Sequence, residues 1–148
     1  MSAPVISYVI ATMNQSFINA APQNDNELVL ALAANTRYAF EIGIRYTNAN
    51  SGITFQITFT VPALTAFVQV AQKCYPQQAG TGTGTGTPVG APVANCTLSN
   101  NNNIDRIEMI GAISVGANAG NLQMQCRRTG GATDPTRLPG SYLMLQRL

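Results

Sequence analysis

Histidine is missing from this chain, and charge is scarce. Without histidine, the commonest general base and the Ser-His and Cys-His nucleophile pairs are excluded. The three cysteines, Cys74, Cys96 and Cys126, show no CxxC spacing, so an ordinary zinc set is excluded as well. They read as buried free thiols; a Cys74–Cys96 bridge would need an oxidising compartment. Charged residues make up 9% of the sequence, against roughly 25% in typical soluble proteins. Lys73 is the single lysine. A net charge of +2 with scattered basic residues leaves no stripe for a phosphate backbone, so no nucleic-acid partner is expected. The adjacent pair Arg127-Arg128 reads as a solvated strand end or an interface contact.

Long apolar runs are lacking too. None approaches the ~20 residues a membrane-spanning helix requires. The opening MSAPVISYVIATMNQ has no basic start, and Ser7 and Thr12 interrupt its apolar stretch, so neither a secretory leader nor a membrane partner is expected. The reading is a chain made in a host cytosol. The few carboxylates give no catalytic signal. Glu41, Asp105 and Glu108 fall on strands as ordinary polar-face charges, and Asp25 and Glu27 are too sparse for a calcium loop. No catalytic residue, cofactor or metal is expected.

What fills the chain is alternation with a period of two, the mark of half-buried strands. In RYAFEIGIRYTN, Tyr38, Phe40, Ile42, Ile44 and Tyr46 share one face, with Arg37, Glu41 and Arg45 opposite. GITFQITFTVP repeats the pattern with Ile53, Phe55, Ile57, Phe59 and Val61, and the intervening NANSG predicts a hairpin between the two. Weaker strands follow from Leu28, Leu30 and Leu32, and from Leu64, Ala66, Val68 and Val70, although residues 63–72 could also hold a short helix. IEMIGAISVG aligns Ile107, Met109, Ile113 and Val115, NLQMQCRR aligns Leu122, Met124 and Cys126, and GSYLMLQRL closes the chain. Many short strands with Gly, Pro and Asn turns in 148 residues predict one all-β domain, an antiparallel β-sandwich or jelly roll.

Gly80 through Thr87 alternate strictly between glycine and threonine. This stretch is no phosphate cradle: it contains no lysine and runs into Pro88 and Pro92, which oppose the helix such a loop must open. It is no domain linker either, because the roughly three strands after Asn103 are too few to fold alone. It reads as a long loop over residues 76–103. The domain reading is therefore an arm or edge strand over 1–22 and a jelly roll over 23–148.

The order of segments resembles a known group. Asn35–Tyr46, the stretch Gly111–Gln125 and the closing Gly140-Ser141-Tyr142-Leu143 are similar to the jelly-roll modules of tailed-phage virion proteins, related in fold to tumour necrosis factor and C1q heads. The resemblance covers roughly residues 26–148; the Gly-Thr repeat and the cysteines depart from it. It implies a homotrimer in a virion: a capsid decoration protein gripping a major capsid protein, or a receptor-binding tip of a head or tail fibre that touches host-surface saccharide. The last strand is apolar on both faces, so Tyr142, Leu143 and Leu145 are the candidate subunit interface. Val5, Ile6 and Tyr8 are the candidate shell-binding arm.

Overall fold

The computed structural model describes residues 5–18, 20–47, 53–63, 65–75, 94–98, 105–130 and 133–148; of these, 53–55, 67–75, 94–98, 105 and 129 are described through their backbone alone. Strands make up its regular structure: β1 (Ile6–Ile10), β2 (Gln15–Ser16), β3 (Gln23–Leu32), β4 (Arg37–Thr47), β5 (Ile53–Thr60), β6 (Ala66–Tyr75), β7 (Ala94–Leu98), β8 (Asp105–Ser114), β9 (Gly120–Gly130), β10 (Thr136–Arg137) and β11 (Tyr142–Arg147). No helix occurs among the described residues. The stretch over 63–72 that could have been helical belongs largely to β6, where pairing with β8 satisfies its backbone.

Two antiparallel sheets result. In the first, β4 lies between β8 and the chain's C-terminal strands, with β6 beyond β8 and β1 beyond β11. β10 and β11 lie in succession along the same side of β4, and β2 and β1 lie in succession along them. Each of these pairs is thus one long strand interrupted by a bend. The second sheet runs β3-β9-β5-β7. The chain changes sheet at every step from β2 to β10, and the facing strand orders β1-β11-β4-β8 and β3-β9-β5-β7 are the wiring of a jelly roll.

Alternation explains which face turns inward. Phe40, Ile42, Ile44, Tyr46, Ile107, Met109, Leu143 and Leu145 from the first sheet meet Leu28, Leu32, Ile57, Phe59, Leu122, Met124 and Cys126 from the second. Each large side chain buried this way contributes roughly 1.5–3 kcal/mol relative to exposure, and the sum holds the layers together.

Two expectations need correction. The hairpin of β4 with β5 does not form: β4 pairs with β8, β10 and β11, and β5 with β7 and β9. Two alternating strands joined by a short turn can lie side by side or face each other across a core. Here they face each other, because each has a better neighbour in its own sheet. Secondly, Ala94–Leu98, inside the stretch read as a loop, is the edge strand β7. Its sequence ANCTL is too short and too polar to signal itself, and it takes its order from β5. The Gly-Thr repeat lies outside the described residues; the strands on either side of it, β6 and β7, belong to different sheets of the one sandwich. Of the two readings of the N-terminal segment, arm or edge strand, residues 6–10 take the edge strand.

Candidate functional site

The outer face of the first sheet carries the residues that the interior leaves over. Register places them in rows. Ile10 lies beside Tyr142, Gly43 and Glu108; Tyr8 beside Met144, Glu41 and Ile110; Ile6 beside Gln146, Ala39 and Ala112. Apolar or small side chains dominate each row. Ile6, Tyr8, Ile10 and Ile110 are all exposed large hydrophobic groups, and Val5, Met13 and Ile18 extend the same character along the N-terminal segment. A continuous apolar sheet face of this kind marks a contact surface more often than a solvated one.

Several polar groups on this face are engaged. The Tyr142 hydroxyl donates to Glu41 Oε1 at 2.5 Å. Burial first, and then the Glu41 carboxylate, push the Tyr142 hydroxyl pKa above its usual value. The ring can lie flat only because residue 43 is glycine, since a Cβ there would overlap it. Arg106 pairs with Glu108 at 2.6 Å. Glu41 and Glu108 thus interrupt the rows, and each is held by a neighbour on the same face.

The sequence-derived site residues separate by face. Leu143 and Leu145 are 0% and 1% exposed. They belong to the chain's own core and offer no surface to a second subunit, because the register of β11 on β4 turns them inward with Phe40 and Ile42. Tyr142 stands on the outer face beside the half-buried Met144. Val5, Ile6 and Tyr8 are 62%, 54% and 68% exposed. They are positioned by pairing of β1 with β11, and Val9, next after Tyr8, packs against the core.

A second cluster was not foreseen from the sequence. Arg137 on β10 reaches across to β3, where its Nε donates to Asp25 Oδ2 at 2.6 Å and its Nη2 to Glu27 Oε2 at 2.9 Å. Its Nη1 donates to the Met13 carbonyl at 2.7 Å. Asp25 Oδ1 also accepts the backbone N–H groups of Glu27 and Leu28, each at 2.9 Å, which holds the irregularity in β3 where its register on β9 shifts. Glu27 accepts from the Thr12 N–H at 2.9 Å and the Thr12 hydroxyl at 2.7 Å. Chiefly through the Thr12 backbone bond, its carboxyl pKa falls from 4.5 to about 2. The knot ties β3 in one sheet to β10 and the N-terminal segment in the other. It is a structural clamp, with its carboxylates fully committed to partners. Among the described residues, no group of three His, Cys, Asp or Glu side chains could hold a metal ion.

Of the cysteines, Cys126 is free and buried, and burial pushes its thiol up to about 12. The side chains of Cys74 and Cys96 lie outside the described residues. Arg128 pairs with Asp134 at 2.8 Å, so one member of the Arg127-Arg128 pair is a local tie at the end of β9.

No family model matches the chain. No curated protein matches it either. A solved structure of infectious bursal disease virus, Gt strain, aligns over 98% of this chain and 37% of the other, at 9% identity and a TM-score of 0.30. This chain thus spans little more than a third of that one, and likeness at this level bears on neither family nor function.

Proposed function

We propose that this chain is a structural virion protein, a capsid decoration module that assembles as a homotrimer and grips the major capsid protein. The observation that carries the reading is the outer face of the first sheet. Ile6, Tyr8, Ile10, Met144 and Ile110 form a mostly apolar strip, interrupted by Glu41 between Met144 and Ile110, on a domain whose own core is already filled. Such a strip favours permanent cover, and in a chain this poor in charge, sister copies and a shell are the natural cover. Tyr142, held flat against Gly43, supplies a rigid aromatic contact for the subunit interface, and Val5, Ile6 and Tyr8 supply the shell contact. Three modest contacts on one particle would act with avidity.

Light scattering on the purified chain tests the assembly; a mass of three copies is expected. Binding to undecorated shells tests the partner. Ile6→Asp combined with Tyr8→Asp is expected to leave the fold and remove the chain from shells. Shell binding unchanged by both substitutions would overturn this use of β1. A copy number far below that of the shell protein on purified particles would instead favour a fibre tip.

A further inference from the structure

Among the described residues, β1 also has an open edge. Arg147 N donates to the Val5 carbonyl at 3.0 Å, Ala11 N donates to the Ser141 carbonyl at 2.8 Å, and Gly140 N donates to the Ala11 carbonyl at 2.9 Å. Between these ends the register of β1 on β11 is unbroken. In an antiparallel ladder every second residue bonds to the neighbour, and the residues between turn their N–H and C=O groups the other way. Val5, Ser7, Val9 and Ala11 therefore face β11. Ile6, Tyr8 and Ile10 point their backbone groups away from the sheet.

Other edges carry the usual protections. β3 has a register shift and the charges Asp25 and Glu27; β6 has a register shift and Lys73. β7, the remaining edge of the second sheet, has Leu98 as its one large apolar residue. β1 reads ISYVI, with no charge, proline or bulge. Its three outward-pointing residues are also the three whose apolar side chains stand exposed on the outer face.

We infer that a second copy of this chain pairs its own β1 with this edge, antiparallel, about a two-fold axis at Tyr8. The strand is self-complementary in that register. Ile6 falls opposite Ile10 of the partner, Tyr8 opposite its counterpart, and Ile10 opposite Ile6. All three residues with free backbone groups then sit at hydrogen-bonded positions. A shift by two residues either way leaves one of them opposite Pro4 or Thr12, and Pro4 has no N–H to give. No like charges meet. Pairing fuses the two apolar rows into one strip and joins the first sheets of two copies into a continuous sheet. This inference rests on the reading of the chain as self-associating, and it adds a two-fold link between the proposed trimers, a direct way for a decoration layer to brace a shell.

Cysteine cross-linking on the full chain tests it. Opposed Cα atoms at a hydrogen-bonded antiparallel position are about 5.5 Å apart, within disulfide reach. Tyr8→Cys should therefore give a covalent dimer on mild oxidation, beyond any formed by the parent chain. Ser7→Cys should not, because the two Ser7 positions lie diagonally out of reach. Tyr8→Pro removes an N–H that points away from β11, so the chain's own ladder survives. Its self-association beyond the trimer should weaken by roughly tenfold or more, read by light scattering over a concentration series. An oligomeric parent whose Tyr8→Cys variant forms no added cross-link overturns the pairing and leaves the assembly reading standing. A parent that stays monomeric at micromolar concentration overturns both.

Discussion

Arg137 and Asp25, distant in sequence, form an ion pair of 2.6 Å with side chains only 1% and 0% exposed. The guanidinium is forked over the carboxylate, with a second contact from Nη2 to Asp25 Oδ1 at 3.3 Å. Asp25 in turn fixes the backbone of β3. The pair joins the two sheets at the end of the sandwich where the interrupted strands β2 and β10 leave the regular ladder.

Removing one partner from a buried pair leaves an uncompensated charge, a loss of about 3–5 kcal/mol. Arg137→Ala should therefore show a large drop in the midpoint of chemical denaturation. Arg137→Lys keeps the charge but cannot make the fork, and should recover only part of the loss. Full recovery by lysine would mean that charge alone, without the fork, holds the two sheets at this point.

The Glu27 carboxyl carries a pH signature. Its folded pKa of about 2 lies below the ordinary 4.5, with the Thr12 backbone hydrogen bond as the largest cause. A depressed carboxyl pKa adds stability that is complete above the unfolded value and lost as pH falls through the folded one. Glu27→Gln should thus be less stable than the parent at neutral pH, and the gap should close between pH 4.5 and about 2. Denaturation midpoints measured across that window check the sign. A gap that stays constant to the acid end would remove Glu27 as its source.

The strands were largely legible because alternation is a direct consequence of pleating. Tyr38 to Tyr46, Ile107 to Val115 and Leu122 to Cys126 all turn inward as their spacing requires. Pairing was less legible. Ile57 and Phe59 fit equally well beside β4 or across from it, and long-range neighbours such as β9 decide between the two. The clamp was hidden for a different reason. The irregularity between Asn24 and Val29 breaks the parity that would mark Asp25 as buried, and Arg137 sits in a two-residue strand between Pro135 and Pro139. In the last strand, apolarity on both faces gave no means to separate Leu143 and Leu145 from Tyr142 and Met144; only the register on β4 does so.

Cys126 offers a probe of global opening. Burial drives its thiol pKa to about 12, with the nearby Tyr46 hydroxyl bond working against the rise. At pH 8 almost no thiolate forms in the folded chain, and thiolate is the species that reacts. In a Cys74→Ser, Cys96→Ser background, alkylation of Cys126 should be negligible without denaturant. It should then rise in step with unfolding followed by circular dichroism. Rapid alkylation of the folded protein would contradict a sealed core around β9.

The two faces of β11 should respond differently to truncation. Leu143 lies at 0% exposure among Phe40, Ile42 and the other core residues, and Leu→Ala at such a site costs about 2–5 kcal/mol. Tyr142 lies on the opposite face over Gly43, where its loss opens no internal cavity but removes the ring and its bond to Glu41. Leu143→Ala should lower the melting temperature sharply whatever the protein concentration. Tyr142→Ala should do little to a dilute chain and should instead weaken self-association, read as a mass that falls at concentrations where the parent stays assembled. Equal melting losses for both, with no change in mass for Tyr142→Ala, would place Tyr142 in the fold alone and remove it from the subunit contact.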